Sequence, residues 1–105
     1  MALKNKAIFV GELTTVGRKT GKPRTVELRF VHTDGKFYAS SGRIAGKHWC
    51  QNLLKNPAVE ITAEGKSYHC TARQVTEEGL RTRILTLRDS PPLMDRMVFE
   101  IAPKN

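Results

Sequence analysis

The chain has little of what usually marks a site. Two cysteines in 105 residues, Cys50 and Cys70, make neither a disulfide framework nor a metal-ligand spacing. His32, His48 and His69 form no metal pattern either. Aromatic side chains are 7% of the residues, and no strand-like stretch interleaves them with basic residues as a base-stacking platform would. That argues against a nucleic-acid-binding barrel despite a net charge of +8. Apolar runs are only a few residues long, so no segment reads as a membrane span. The N-terminal "MALKNKAIFVGEL" has lysines but neither the apolar core nor the small-residue cleavage site of a signal peptide. These absences lead to the expectation of a soluble cytoplasmic protein with reduced, buried cysteines. No repeat, low-complexity stretch or linker divides the chain, and a single domain over residues 1–105 is expected.

What is present is asymmetric charge. Residues 1–56 carry 11 basic and 3 acidic side chains, whereas residues 57–105 carry 7 of each. The whole excess therefore lies in the first half, as expected of a surface aimed at a phosphate or polyanion. A solvated basic face that aids solubility is the plain alternative.

The hydrophobic pattern gives an order of elements. Residues 7–16 alternate as a strand, with Ala7, Phe9, Gly11, Leu13 and Thr15 on one face. "TVELRFVHT" alternates again, with Val26, Leu28 and Phe30 opposed to Glu27, Arg29 and Val31. Asp34-Gly35 then predicts a type I′ hairpin into "KFYASSG". Residues 45–56 change to helical spacing through Trp49, Leu53 and Leu54, and Asn56-Pro57 ends that helix. "AVEITAEG" and "GKSYHCTARQV" form a second hairpin through Glu64-Gly65. Thr76, followed by Glu77 and Glu78, predicts a helix start with acidic residues in the first turn. Leu80, Ile84 and Leu87 carry that helix to about Arg88, Ser90-Pro91-Pro92 breaks it, and "RMVFEIAP" is a last strand. Consecutive hairpins with helices inserted predict a mainly β, α+β fold. The strands form an antiparallel barrel, with two or three helices packed outside it.

The basic excess concentrates in "TTVGRKTGKPRT", residues 14–25. It is not a nucleotide-binding P-loop. Three residues rather than four separate Gly17 from Gly21, and Pro23 stands where a magnesium-binding hydroxyl belongs. Two glycines still allow backbone amides to converge on one concavity. Arg18, Lys19, Lys22 and Arg24 add charge, and Thr20 and Thr25 add hydroxyls. The loop is thus a candidate phosphate cradle, with a solvated hairpin turn as the alternative. Ser40, Ser41 and Gly42 lie between a strand end and a helix start, a second natural anion position. Arg43 and Lys47 add charge to it. Trp49 reads either as core or as a flat surface for a ring. No side chain reads as a nucleophile or a metal ligand.

Three segments together resemble a known family. "LTTVGRKTGKPRTVEL", "DGKFYASSG" and "HWCQNLLKNPAVEI", in this order and at these spacings, are similar to the deazaflavin-dependent nitroreductase family. The resemblance covers roughly residues 12–75. It implies a split β-barrel, related to proteins that bind flavin mononucleotide (FMN), and an enzyme that uses coenzyme F-420, an 8-hydroxy-5-deazaflavin. That coenzyme carries a phosphodiester and an acidic tail, for which a basic first half is suited. Carried over by position, Arg18, Lys19 and Thr20 would meet the phosphate or tail. Pro23, Arg24, Thr25 and Val26 would line the ring and its linker. Ser40, Ser41 and Gly42 would hydrogen-bond the ring or phosphate side, and Trp49 and Leu53 would shape the pocket wall.

The implied reaction is hydride transfer from the reduced coenzyme to a small electron-poor acceptor: a nitro compound, a quinone or an activated alkene. Two departures bear on it. Almost nothing precedes the first strand, where some relatives carry an amphipathic, membrane-associated segment. The last thirty residues contain no tyrosine, although relatives place aromatic groups near the substrate there. Met94, Met97 and Phe99 are the nearest candidates. This makes quinone or alkene reduction as suitable as nitroreduction. FMN is the alternative cofactor, and a carrier without catalysis is the alternative role. A homodimer and a monomer both stay open.

Overall fold

The computed structural model describes residues 7–17, 19–42 and 48–104. Six strands and two helices follow in the order β1 (Ala7–Val16), β2 (Pro23–Thr33), β3 (Lys36–Ser41), α1 (His48–Lys55), β4 (Ala58–Ala63), β5 (Lys66–Gln74), α2 (Glu78–Arg88) and β6 (Met97–Pro103). The strands close into an antiparallel barrel in the order β1-β2-β3-β6-β5-β4. The mainly β barrel expected from the sequence is the observed fold, with two flanking helices among the described residues.

Both predicted dipeptide turns hold. Asp34 and Gly35 have φ of 55° and 74°, and Glu64 and Gly65 have 52° and 76°. Two successive positive φ angles are the signature of a type I′ turn, whose twist matches that of the strands it joins.

Alternation sends Leu13, Phe30, Phe37, Ile61, Phe99 and Ile101 into the barrel, all essentially fully buried. A second apolar cluster lies outside the barrel wall, where Ile84 and Leu85 of α2 cover Val31, Tyr38, Val75 and Val98. Strands β3 and β6 are therefore apolar on both faces, which is why "FYA" and "MVFEIA" read as near-continuous hydrophobic runs. Strand β4 keeps a clean alternation because one of its faces meets water.

Glu100 interrupts the outer face of β6, and its neighbours explain it. Arg73 donates through Nε to Glu100 Oε1 (3.1 Å) and through Nη2 to Oε2 (3.2 Å). Tyr38 donates its hydroxyl to the same carboxylate at 3.2 Å, and Lys36 stands 3.7 Å away. Burial first, and then the Glu100 charge, push the Tyr38 phenol up to about 12.

The same Arg73 forks onto both oxygens of Glu77 at 3.0 and 3.1 Å. This corrects the expected helix start: Glu77, not Thr76, is the N-cap of α2, without a side-chain capping bond. The Glu77 carboxylate turns back toward Arg73 and also accepts the Thr76 amide proton. Hydrogen bonding to Arg73 holds Glu77 down to about 2, from an ordinary 4.5. A depressed carboxylate contributes stability above its unfolded value and loses it as pH falls through the folded one. Thermal melts from pH 6 to pH 2 are therefore expected to show Glu77→Gln less stable than wild type at pH 6. The difference should shrink between about pH 4.5 and 2. A difference that did not change with pH would assign Glu77 no such role.

Candidate functional site

The barrel is split on one side. Strands β2 and β3 pair only over residues 31–33 against 36–38. Beyond that, β3 turns to β6, and residues 23–30 of β2 keep β1 alone as a neighbour. Two cavities lie along this side, and Trp49 lines both.

The first cavity, about 410 Å³, lies between the basic loop and α1. The loop is a tight turn. Gly17 N–H donates to Lys22 O at 2.8 Å, and Gly21 N–H to Gly17 O at 2.9 Å. A Cβ on Gly17 would come within 2.8 Å of Thr20 Oγ1 and 3.2 Å of Lys22 O, so a side chain there cannot be accommodated without a shift. Gly21 has φ of +71°, which glycine adopts without strain. Lys19, Thr20 and Arg24 line the cavity beside Gly17. Thr20 Oγ1 accepts the Lys22 amide proton at 3.2 Å, so this hydroxyl shapes the turn as well as facing the cavity. Thr25 and Val26 continue the wall. The Thr25 hydroxyl lies 2.8 Å from that of Thr14 on the neighbouring strand.

Helix α1 supplies the other wall through His48, Trp49 and Asn52. Trp49 packs edge-on against Phe99, with centroids 5.5 Å apart at 70°. Asn52 Nδ2 donates to Thr15 Oγ1 at 3.2 Å, and both residues are buried and line the cavity. Asn56 donates to Val16 O at 3.4 Å and so fixes the end of α1 to the end of β1. Among the described residues, the lining holds two cations, Lys19 and Arg24, and no carboxylate.

The second cavity, about 280 Å³, follows the cleft between β2 and β3. Ser40, Ser41 and Gly42 line one side, and Glu27, Leu28 and Arg29 the other. Arg88 and Arg96 close it from α2 and the segment after it. Arg96 donates through Nε to Ser40 Oγ (3.0 Å) and through Nη2 to Ser40 O (3.1 Å). Burial, and then the neighbouring Arg88, hold the Arg96 guanidinium below the ordinary arginine value, against the pull of Asp89 and Asp95. Arg88 is paired with Asp89.

Of the residues singled out from the sequence, Lys19, Thr20, Arg24, Thr25, Val26 and Trp49 thus share the first cavity. Ser40, Ser41 and Gly42 share the second with Trp49. Pro23 is exposed and Leu53 is buried in the core, and neither lines a cavity. Arg18, Arg43 and Lys47 lie outside the described residues. Met94 is exposed on the segment between α2 and β6, Met97 is half-buried, and Phe99 is inside the barrel. Sequence reading missed Thr15, Glu27, Leu28, Arg29, Asn52, Arg88 and Arg96. Asn52 had a usable signal: it follows Trp49 by three residues and so shares its helical face.

Arg81 of α2 holds the segment that carries Arg96. Its Nη1 donates to Arg96 O at 2.8 Å and its Nη2 to Met94 O at 2.6 Å. Nε is taken by Glu78 at 3.0 Å. This makes Arg81 a positioning residue for the rim of the second cavity. Arg81→Ala is expected to weaken binding of a ligand in the second cavity about fivefold, on the order of 1 kcal/mol, with binding in the first cavity nearly unchanged. Arg81→Lys should restore part of the loss. Unchanged affinity in the second cavity would remove this role.

The fold and the two cavities define a split-barrel protein with a cationic cofactor-sized cavity and a polar cleft beside it. Residues 4–92 match the F420H(2)-dependent quinone reductase family, and the chain belongs to that family. It is 37% identical over 67 residues to the F420H(2)-dependent quinone reductase of Mycobacterium tuberculosis (strain H37Rv), covering 60% of this chain and 44% of that protein. A similarly named protein of Mycobacterium bovis matches to the same extent. The matched region thus spans less than half the length of these curated relatives. Among solved structures, an F420-H2 dependent reductase (FDR-A) superposes with a TM-score of 0.72 at 28% identity, over 88% of this chain and 92% of that one. A structure described as a domain-swapped dimer gives the same TM-score and identity, over 88% and 78%. The heme storage protein HutZ of Vibrio cholerae shares the fold at a TM-score of 0.70 and 21% identity, over 91% and 82%.

Proposed function

We propose that this chain binds reduced coenzyme F-420 in the first cavity and reduces a small electron-poor acceptor, a quinone first among them, in the second. The observation that carries this reading is the first cavity: among its described lining residues are two cations, no carboxylate, hydroxyls at a glycine-tight turn, and a tryptophan. That donor set suits an anionic group joined to a flat ring, and 410 Å³ is within the range of small-molecule sites. Lys19 and Arg24 hold the phosphodiester and acidic tail, with Thr20 as a hydroxyl donor. Trp49 and Val26 give the ring apolar contact and exclude water. Bound there, the reduced coenzyme supplies a hydride, and no side chain of the chain has to act as nucleophile. Ser40, Ser41 and Arg96 present donors where an acceptor oxygen gains negative charge.

Cys50 and Cys70, buried as thiols rather than joined in a disulfide, support a reducing, cytoplasmic setting. No described helix is long and apolar enough to cross a membrane. Ile8 and Val10, exposed on the same face of β1, support a homodimer, as does the domain-swapped neighbour.

Titration of the purified protein with coenzyme F-420 and with FMN tests the reading. Tighter binding of the deazaflavin, followed by turnover of menadione by the reduced complex, is the expected result. Preferential FMN binding would replace the cofactor assignment. Coenzyme binding without turnover of any acceptor would leave a carrier.

A further inference from the structure

The second cavity has a chemistry that quinone reduction alone does not require. A quinone is neutral, and a neutral ring calls for apolar walls and one or two donors. Among the described residues this cavity is walled instead by three guanidinium groups, Arg29, Arg88 and Arg96, against one carboxylate, Glu27. Two further carboxylates act on these arginines: Asp89 pairs with Arg88, and Asp95 adjoins Arg96 in the chain. Neither lines the cavity. The arginines keep capacity for a ligand. Arg96 spends Nε and Nη2 on Ser40, and its Nη1 is turned toward Gly42, 3.8 Å from where a Cβ there would stand. Arg88 meets Asp89 through Nη1, and a guanidinium has five donors in all. Gly42 lacks the side chain that would narrow the approach, and the Ser40 and Ser41 strand end lies beside it.

We propose that this cleft is an anion-selective acceptor site, and that the acceptor is an electron-poor ring bearing a carboxylate or sulfonate. The inference rests on the oxidoreductase reading above and adds the substrate class. The acid group docks between Arg88 and Arg96, and Trp49, shared by both cavities, brings the acceptor ring beside the coenzyme. The reaction balances as for any quinone: the reduced coenzyme loses one hydride and is oxidised by two electrons. The acceptor gains that hydride and a proton from water to become the hydroquinone. Its acid group is unchanged throughout.

Trp49 is the single tryptophan of the chain, so binding can be read without turnover. Quenching of its fluorescence is titrated with menadione and with 1,4-naphthoquinone-2-sulfonate, in wild type, Arg88→Gln and Lys19→Gln. The expected result is that wild type prefers the sulfonate at least tenfold at low salt, and less in 0.5 M NaCl. Arg88→Gln should bring the ratio to within about twofold, while Lys19→Gln keeps it. Equal binding of the two quinones by wild type overturns the inference. So does a preference lost in Lys19→Gln and kept in Arg88→Gln, because the anion then sits in the basic loop. Coenzyme titration and menadione turnover are measured on the same preparations. Normal values there with no sulfonate preference defeat this inference alone, whereas absent coenzyme binding defeats the functional reading beneath it.

Discussion

Trp49→Ala is expected to cost about 3–5 kcal/mol of stability and to weaken coenzyme binding about thirtyfold, on the order of 2 kcal/mol. Two independent features give the size. The indole is 7% exposed and stacks edge-on against Phe99 in the barrel interior, so truncation opens a void that neighbouring strands cannot close. The same ring lines both cavities, so its loss also removes the surface they share. Trp49→Phe separates the two effects. It keeps an aromatic contact with Phe99, worth about 0.5–1.5 kcal/mol beyond area, and should recover most of the stability. Coenzyme affinity should recover less, because a phenyl ring is smaller. Chemical denaturation followed by circular dichroism measures the first quantity, since tryptophan fluorescence is lost in both variants. Coenzyme titration measures the second. A folded Trp49→Ala protein with undiminished coenzyme affinity would show that the indole is core alone.

Trp49 also shows which parts of the molecule are legible in the sequence. Its helix over the described His48–Lys55, the two I′ turns and the inward faces of the strands follow from spacing over a few residues, and these hold; residues 45–47 of the expected helix lie outside the described residues. The glycine-rich loop is equally local: Gly17, Lys19, Thr20 and Arg24 reach one cavity because a single turn brings them there. Arg88 and Arg96 carry no local mark. Arg96 meets Ser40 because β6 lies beside β3, with Met97 opposite Ser41, fifty-six positions away, and Arg88 reaches the same cleft from the end of α2. Nothing in "LRDSPPLMDRM" distinguishes a lining arginine from a solvated one. Thr15 and Asn52 are similar, a buried pair formed when α1 closes the end of β1. The start of α2 failed for a different reason. Local preference favours Thr76 as the cap, but the fork between Arg73 and Glu77, itself tied to Glu100 on another strand, sets the backbone there. Leu53 illustrates the limit of spacing on a helix face: it follows Trp49 by one turn, yet it points into the barrel core rather than along the cavity.

Charge reversal in the basic loop is expected to give the second large effect. Lys19→Glu should weaken coenzyme binding at least tenfold, about 1.4 kcal/mol or more. Among the described lining residues Lys19 is one of two cations, with no carboxylate beside them, so reversal replaces attraction by repulsion at the position proposed for the phosphodiester. Lys22→Glu is the matched control. It changes the net charge equally and lies in the same exposed turn, but Lys22 does not line the cavity. Its effect should stay below about threefold at 0.15 M salt, where charges more than roughly 8 Å apart are largely screened. Coenzyme titration of both variants at 0.05 M and 0.5 M NaCl separates local from diffuse electrostatics. A site-specific contact predicts a gap between the two variants that survives high salt. Equal losses that vanish together in high salt would mean that the loop attracts the coenzyme only as part of a basic surface. Unchanged affinity in Lys19→Glu would reduce "GRKTGKPR" to a solvated turn and move the phosphate site elsewhere along the split.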